Sequence, residues 1–265
     1  MSSEDRPVQG KAPRLWAKVE YDGTDFYGFQ VQARERTVQG ELERALESLT
    51  GEPARIAGAG RTDRGVHARG QVVSFQTSWQ HGWVDLQRAF NAVLPADVAV
   101  LAMGVAPEGF HPRFSALSRR YRYTILNQAW RSPLLRRTAW HVGRELDEGR
   151  LSQASEYLVG SQDFATFGRP PTGEPGASTV RRVFEARWQK QGPLLTFDIE
   201  ANAYLYRMVR SIVGTLTQVG WGQLSVDDFR AMLEARDHSL IRRVAPARGL
   251  CLMQVQYAAH GGALQ

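Results

Sequence analysis

Alternating apolar and polar residues predict strands in the first half of the chain. In RLWAKVEY (14–21), the side chains of Leu15, Ala17, Val19 and Tyr21 fall on one face, the pattern of a half-buried strand. Further strands are predicted at 54–59, 71–77 and 98–105. Helical periodicity predicts a helix between Thr37, which can cap it, and Gly51, and a second helix over about 84–93. The resulting order, β-α-β-β-α-β, is the ferredoxin-like arrangement shared by many RNA-binding proteins.

The second half shows a similar order of elements. Strands are predicted at 121–127, 180–190, 194–201 and 250–257, and helices at 147–159, 203–219 and 226–236. We therefore predict an α+β fold of two ferredoxin-like lobes with antiparallel sheets and a central basic cleft. The predicted domains are a flexible tail (1–13), a first lobe (14–108) with a catalytic loop at 58–70, and a second lobe (109–262). The Pro- and Gly-rich segment 168–179 is predicted to be a surface loop.

Composition narrows the class of protein. The 265 residues are 43% hydrophobic and 23% charged, as in an ordinary globular protein. No apolar run approaches the roughly 18 residues of a membrane span, and the N-terminus lacks the apolar stretch of a signal peptide. The single cysteine, Cys251, and six scattered histidines give no metal-ligand spacing. We expect a cytoplasmic protein without a membrane segment, metal or other cofactor.

The charge suggests a polyanionic partner. The net charge is +6, and of 33 basic residues only three are lysines, so 30 are arginines. Arginine binds phosphate bidentately and stacks on bases, which suits RNA. Codon usage in a GC-rich genome is an equally simple explanation of the arginine excess, and both remain open.

One acid stands alone in a basic, glycine-rich segment. In GAGRTDRGVHARG (58–70), Asp63 lies among three arginines and a histidine: Arg61, Arg64, His67 and Arg69. Glycines permit positive φ and a close approach of backbone to ligand. Neighbouring arginines would keep Asp63 ionised, and an oriented carboxylate can act as a nucleophile. The simpler interpretation is a turn-capping Asp with local ion pairs. A phosphate-binding loop is disfavoured because no Gly-Lys-Ser/Thr ending follows.

Two further segments combine arginines with apolar or aromatic residues. NAYLYRMVRSIVG (202–214) predicts a largely buried helix that carries Arg207 and Arg210 and no acid. A partly buried arginine needs a carboxylate from elsewhere, unless it extends to solvent. In RRYRYTILN (119–127), Tyr121 and Tyr123 would share one face of a strand, and Arg120 and Arg122 the other. This pattern suits base stacking and phosphate contact, although core packing is the commoner fate of strand tyrosines.

Together these segments resemble the TruA-type tRNA pseudouridine synthases. The resemblance runs nearly end to end, through YDGTDFYGFQVQ (21–32), AGRTDRGVHARGQV (59–72), FHPRFSALSRRYRY (110–123), QDFATFG (162–168), NAYLYRMVRSIVG and APARGL (245–250). It departs from the family pattern at Val31, Arg64, Pro112 and Cys251, none of which is a principal site residue.

The resemblance implies roles for particular residues. Asp63 matches the catalytic aspartate, Tyr121 the tyrosine that stacks on the target uracil, and Arg210 the arginine that pairs with the aspartate. Arg61 matches the arginine thought to help flip the nucleotide. The remaining basic residues expected to bind the substrate are Arg64, His67, Arg69, Arg120, Arg122 and Arg207.

The implied reaction is the isomerisation of uridine to pseudouridine in the anticodon stem-loop of tRNA, at positions 38–40, without a cofactor. The implied assembly is a homodimer in which both subunits grip one tRNA. Asp63 could add to C6 of the uracil or act on the sugar after the base leaves, and the residues do not decide between these routes. Two other classes of protein would also account for parts of this sequence: a non-catalytic RNA-binding module and a nucleotide-dependent transferase. The first would not require Asp63, Tyr121 and Arg210 together, and the second would need a metal-binding pair of acids that the loop lacks.

Overall fold

The computed structural model describes residues 13–170 and 177–258. The chain forms a mixed α+β fold with mostly antiparallel strand pairing. The described residues form two compact units, one made of residues 13–117 with 252–258 and the other of 118–251. These limits differ from the predicted domains, 14–108 and 109–262, which remain a prediction. Nearly all of the predicted tail, and residues 171–176 of the predicted loop 168–179, lie outside the described residues.

The first unit is a sheet with two helices. Its elements are β1 (Arg14–Tyr21), α1 (Val38–Thr50), β2 (Ala57–Gly58), β3 (His67–Gln76), α2 (Trp83–Val93) and β4 (Val98–Val105). The strand order is β4-β1-β3, with β2 also pairing with β3. On the other side of β3 lies the last strand of the chain, β10 (Leu250–Tyr257), whose residues from 252 onward belong to this unit. The order of the first six elements along the chain is the predicted one.

Local sequence signals explain the position of α1. The Thr37 hydroxyl accepts a hydrogen bond from the backbone N–H of Gly40 at 3.2 Å, which satisfies one of the unpaired N–H groups of the first turn. Gly51 ends the helix in the left-handed conformation, with φ of 74°. The apolar stripe Val38, Leu42 and Leu46 is fully buried. Both predicted ends of this helix are confirmed.

The second unit contains a larger share of the helices. Its elements are β5 (Ala116–Asn127), whose residues from 118 onward belong to this unit, β6 (Trp140–Val142), α3 (Glu148–Glu156), β7 (Gly160–Asp163), β8 (Val180–Gln191), β9 (Leu194–Ala201), α4 (Met208–Gly220) and α5 (Val226–Ala235). The strand order is β5-β9-β8-β7, all antiparallel, and β6 pairs with β5 in parallel. Along β5, Tyr121, Tyr123 and Ile125 are buried on one face, which confirms the predicted shared face of the two tyrosines.

Several predicted limits were wrong, each for a physical reason. The strand predicted at 71–77 begins at His67, because backbone pairing with β1 extends to Ala68. The helix predicted at 203–219 begins only at Met208, because Arg207 has a φ of 60°, which is not helical. Arg207 and Arg210 therefore do not lie on the same helix. Strands β6 and β7 were not predicted, because each is short and depends on pairing with β5 or β8 rather than on a pattern of its own.

Candidate active site

In the first unit, Asp63 lies in a short loop, residues 59–66, that ends where β3 begins. The preceding residue, Thr62, is anchored twice. Its hydroxyl lies 2.8 Å from the Tyr21 hydroxyl in a buried hydrogen bond, and its carbonyl accepts from the N–H of Phe29 at 3.1 Å. The Asp63 carbonyl accepts from the N–H of Val66 at 3.1 Å, which closes a tight turn. The backbone on both sides of the Asp63 carboxylate is therefore fixed by hydrogen bonds.

The segment YDGTDFYGFQ packs directly against this loop, and two of its glycines make the approach possible. A Cβ at Gly23 would lie 2.0 Å from the carbonyl oxygen of Val66, and one at Gly28 would lie 2.7 Å from that of Thr62. Gly28 also has a φ of +98°. The sequence showed this segment as part of the resemblance, but assigned it no role. Its role in the structure is to support the turn that carries Asp63.

The basic residues near Asp63 have different surroundings. Arg61, Arg64 and Arg69 are exposed, and the Arg64 guanidinium lies 4.0 Å above the ring centre of Tyr27. His67 is buried, and its Nδ1 accepts a hydrogen bond from the N–H of Gly23 at 3.0 Å. The three arginines can reach a polyanion in solvent. His67, expected to bind the substrate, instead holds the end of the loop against the Gly23 backbone.

In the second unit, Tyr121 lies on β5 with only 8% of its surface exposed. Its ring meets the ring of Tyr204 nearly at right angles, with centroids 4.9 Å apart. Tyr123, two residues further along, is fully buried and donates a hydrogen bond from its hydroxyl to the carbonyl of Pro246 at 2.7 Å. Burial raises the pKa of Tyr123 far above its ordinary value. Of the two tyrosines, Tyr123 is the one whose side chain is part of the core.

Arg210 lies in the first turn of α4 and is locked to the segment that follows α5. Its Nε donates to the Ala245 carbonyl at 2.8 Å, and the Ala245 N–H donates to the Arg210 carbonyl at 2.9 Å. Ala245 begins the APARGL segment, so that segment holds both Arg210 and, through Pro246, Tyr123. Arg207, by contrast, is exposed, and its guanidinium lies 4.9 Å from the ring centre of Tyr206.

Arg120 and Arg122 are engaged by acids on the neighbouring strands. Arg120 pairs with Glu200 at 2.6 Å and with Glu185 at 3.0 Å. Arg122 pairs bidentately with Asp198, at 2.8 Å for both nitrogens, and Asp198 is almost completely buried. The hydrogen bonds that the two arginines donate to Glu200 and Asp198 raise the pKa of both guanidinium groups. The geometry gives these two arginines a structural role within the sheet. The alternation of residues in the sequence could not distinguish this role from contact with RNA.

Within the described ranges, no three or more His, Cys, Asp or Glu side chains are grouped to hold a metal ion. In the same part of the chain, no helix has both the length and the apolar character needed to cross a membrane.

The candidate site residues identified in the sequence form two sets: Asp63 with its arginines in the first unit, and Tyr121 and Arg210 in the second.

Comparison with known proteins places the chain in a family. A family model described as tRNA pseudouridine synthase matches residues 17–115 and 154–258. The chain therefore belongs to the tRNA pseudouridine synthase family. The matched ranges include Asp63 and Arg210 but not Tyr121.

Individual relatives are similar over most of their length. A tRNA pseudouridine synthase A from Roseiflexus castenholzii is 46% identical over 252 residues, which cover 93% of this chain and 91% of that protein. Another, from Roseiflexus sp. (strain RS-1), is 47% identical over 248 residues, with 92% and 90% covered. A chain in the solved structure titled "Crystal Structure of a Cbf5-Nop10-Gar1 Complex" aligns with a TM-score of 0.31 and 11% identity, over 77% of this chain and 54% of that one. This last likeness is too low to support a conclusion.

Proposed function

We propose that this protein is a tRNA pseudouridine synthase that isomerises uridine to pseudouridine in the anticodon stem-loop of tRNA, at positions 38–40. The observation that carries the proposal is Asp63, held at a hydrogen-bonded turn inside a segment that the family model matches. The names of the relatives and the exposed arginines around Asp63 support the same conclusion.

The reaction breaks the bond between N1 of uracil and C1′ of the ribose, turns the base and joins C5 to C1′. The hydrogen on C5 leaves as a proton, N1 gains one, and no electrons are gained or lost. Asp63 is the proposed nucleophile, and both routes stay open: addition to C6 of the ring, or action on the sugar once the base has left. In either route, the fixed turn holds the carboxylate where the nucleotide arrives.

The target base must leave its stack before it can react, at a cost of a few kcal/mol. We propose that Tyr121 recovers part of that cost by stacking on the flipped uracil, and that Arg210 pairs with Asp63 and keeps it charged. Arg61 assists the flip and, together with Arg64, Arg69 and Arg207, contacts phosphates, as the exposure of these side chains allows. Arg120, Arg122 and His67 support the fold of their own units, and their contact with the substrate remains a prediction.

We further propose that the chain is built of two ferredoxin-like lobes that present a basic cleft, and that it acts as a cytoplasmic homodimer on one tRNA. Support for the lobes comes from strand order. The first unit has β4-β1-β3 with β2 beside β3, and in the second β5-β9-β8 repeats the 1-3-2 part of that order. Support for the homodimer is the family resemblance alone, and sedimentation of the purified protein at several concentrations tests it.

The decisive experiment follows the hydrogen on C5. Unmodified tRNA labelled with tritium at uridine C5 is mixed with the wild-type protein, with Asp63→Asn and with Asp85→Asn, and the label released to water is counted. Asp85 is an exposed acid in the first turn of α2 and serves as the matched control. We expect release by the wild type and Asp85→Asn, and a loss of at least about a thousandfold in Asp63→Asn.

Two results would overturn the proposal in different ways. Release by Asp63→Asn at the wild-type rate would keep the reaction but remove Asp63 as its nucleophile. Binding of tRNA without release by any protein would instead leave a non-catalytic RNA-binding module as the function.

A further inference from the structure

Tyr204 contacts Tyr121, the proposed uracil-stacking residue, and precedes the helix that carries Arg210. It lies in the six-residue connection 202–207, between the end of β9 at Ala201 and the start of α4 at Met208. The connection is held at its start, where Arg119 donates to the Asn202 carbonyl at 2.7 Å. At its other end Arg207 adopts the left-handed conformation, with φ of 60°, which is rare for a residue with a side chain.

The Tyr204 hydroxyl is anchored to β5, the strand that carries Tyr121, and to the neighbouring strand β9. It lies 3.0 Å from the carbonyl of Arg119 on β5 and 2.9 Å from the carbonyl of Ile199 on β9, and shares its single proton between them. Ile199 is the register partner of Tyr121 across this strand pair. Although the residue as a whole is only partly buried, its hydroxyl is enclosed, and burial raises its pKa well above the usual value. The hydroxyl therefore stays protonated and remains a donor.

The Tyr204 ring is in turn the aromatic neighbour that constrains Tyr121. Their planes are inclined at 81° and their centroids are 4.9 Å apart, the geometry in which the positive edge of one ring meets the negative face of the other. The torsion that turns a tyrosine ring about its Cβ–Cγ bond is intrinsically soft, so a neighbouring ring has a large share in setting its plane.

We propose that Tyr204 is a positioning residue that sets the plane of the Tyr121 ring for stacking on the target uracil. The inference rests on the proposed function. Because stacking requires two parallel planes, a tilt of the Tyr121 ring would misplace the uracil relative to the nucleophile. The anchored hydroxyl fixes Tyr204, and Tyr204 fixes Tyr121. Tyr204 itself need not touch the substrate.

The test compares two substitutions of Tyr204 with a matched tyrosine elsewhere. Tyr204→Phe keeps the ring and loses the anchor, whereas Tyr204→Leu loses both. Tyr257→Leu is the control, because Tyr257 also bonds a carbonyl, that of Pro112 at 2.8 Å, and also pairs with a ring, that of Phe110 at 5.2 Å. A shared loss of stability would then appear in the control too.

The first readout is the single-turnover rate of tritium release at saturating tRNA, together with the Kd for tRNA. We expect Tyr204→Leu to slow the rate by about 10- to 100-fold with a Kd within about twofold of the wild type, and Tyr204→Phe to be intermediate. Tyr257→Leu should keep the wild-type rate per folded molecule. An unchanged rate in Tyr204→Leu, or an equal loss in Tyr257→Leu, would overturn the proposal.

The second readout does not depend on activity. With 3-fluorotyrosine placed at position 121, the ¹⁹F resonance reports the surroundings of that ring in the free protein. We expect it to shift or broaden in Tyr204→Leu and not in Tyr257→Leu, and an unchanged resonance in Tyr204→Leu would overturn the positioning role. If even the wild-type protein released no tritium, the proposed function would fail, while this resonance would still decide whether Tyr204 holds Tyr121.

Discussion

The ion pair between Arg122 and Asp198 shows that the same arginine in a sequence can be interpreted in two ways, as a contact to RNA or as part of the fold. Asp198 is 1% exposed and has its charge compensated by a bidentate contact from Arg122. A buried carboxylate without such a partner costs several kcal/mol, because the protein interior solvates charge poorly. The arginine is thus required by the sheet whether or not RNA is bound.

Arg122→Gln is therefore expected to act on stability rather than on tRNA binding. We expect the free energy of unfolding to fall by about 2 kcal/mol, less than for a fully buried pair because Arg122 itself is partly exposed. Urea unfolding measures the loss, and the rate of pseudouridine formation per folded molecule should stay unchanged. Arg61→Gln is the counterpart, expected to leave stability intact and to weaken tRNA binding. Weakened binding in Arg122→Gln at unchanged stability would contradict this division.

His111 provides a pH-dependent contribution to the stability of the first unit. Partial burial, and then the positive charges of Arg14 and Arg113, lower the pKa of His111 below the usual 6.5. Its Nδ1 accepts from the N–H of Arg113 at 3.1 Å, which requires the neutral ring. As pH falls through 6.5, the unfolded chain takes up this proton before the folded one does, so the free energy of unfolding decreases.

We expect the wild type to lose more stability than His111→Asn on acidification from about pH 7.5 to about pH 5. Above pH 7 the histidine is neutral in both states and the effect is absent. Urea unfolding of the two proteins at both pH values gives the comparison, in which the other titrating groups cancel. Equal losses in both proteins would show that His111 does not contribute.

At the scale of elements, helix α4 depends on a glycine where the chain passes close to it. A Cβ on Gly214 would lie 2.2 Å from the carbonyl oxygen of Arg243, a distance that no carbon–oxygen contact tolerates. The absence of a side chain lets residues 243–245 lie on the helix, where the Ala245 carbonyl accepts from Arg210. Helix propensity alone would favour alanine at position 214 by about 1 kcal/mol.

Gly214→Ala should nevertheless lower the free energy of unfolding by a net amount of about 1–3 kcal/mol, because the backbone of 243–245 must move. The rate of pseudouridine formation should fall as well, since that movement disturbs the Arg210 contact. Gly149→Ala in α3 is the control, because its Cβ would approach only a carboxylate oxygen of Asp147, at 3.3 Å, and its effect should lie between neutral and a stabilisation of about 1 kcal/mol. Thermal unfolding and the tritium assay measure both effects. A stabilised Gly214→Ala would show that the segment yields without cost.

The elements that the sequence predicted well are those whose signals are local. Thr37 and Gly51 mark the ends of α1 by capping and by left-handed conformation, and the alternation in 14–21 marks β1. Where tertiary contacts decide, the pattern was misleading. Helix α4 starts at Met208, later than predicted, because the hydrogen-bonded hydroxyl of Tyr204 fixes the conformation of the preceding residues against their own helix propensity.

The same distinction applies to the site. The lone acid, Asp63, and the arginines around it are visible in the sequence because their composition is unusual. The roles of Gly23 and Gly28, which make room for the Asp63 turn, are not visible, because they depend on carbonyls some 40 residues away in the chain. Nor could the sequence separate Tyr123, committed to the core, from Tyr121, since both lie on the same face of β5.

At the scale of the whole molecule, the arginine-rich composition predicts how tRNA binding responds to salt. Four exposed arginines are proposed phosphate contacts: Arg61, Arg64, Arg69 and Arg207. If each neutralises one phosphate, together they contribute a slope of about −3 to −4 to a plot of log affinity against log salt concentration. Arg61→Gln should make the slope shallower by about 1. Filter binding across a salt series measures this, and a slope that Arg61→Gln leaves unchanged would place that arginine away from phosphate.

The placement of β10 has a consequence for biosynthesis. Strand β3 pairs with β1 on one side and with β10 on the other, yet 134 residues, 118–251, are translated between the two parts of the first unit. At about 5–20 residues per second, the nascent first unit waits on the order of ten seconds with this edge of β3 covered, among the described residues, only where β2 pairs with Val73 and Ser74. An open strand edge is a template for aggregation. A stop codon shortly before residue 252 would therefore yield a chain prone to aggregate, and not merely a slightly shorter enzyme.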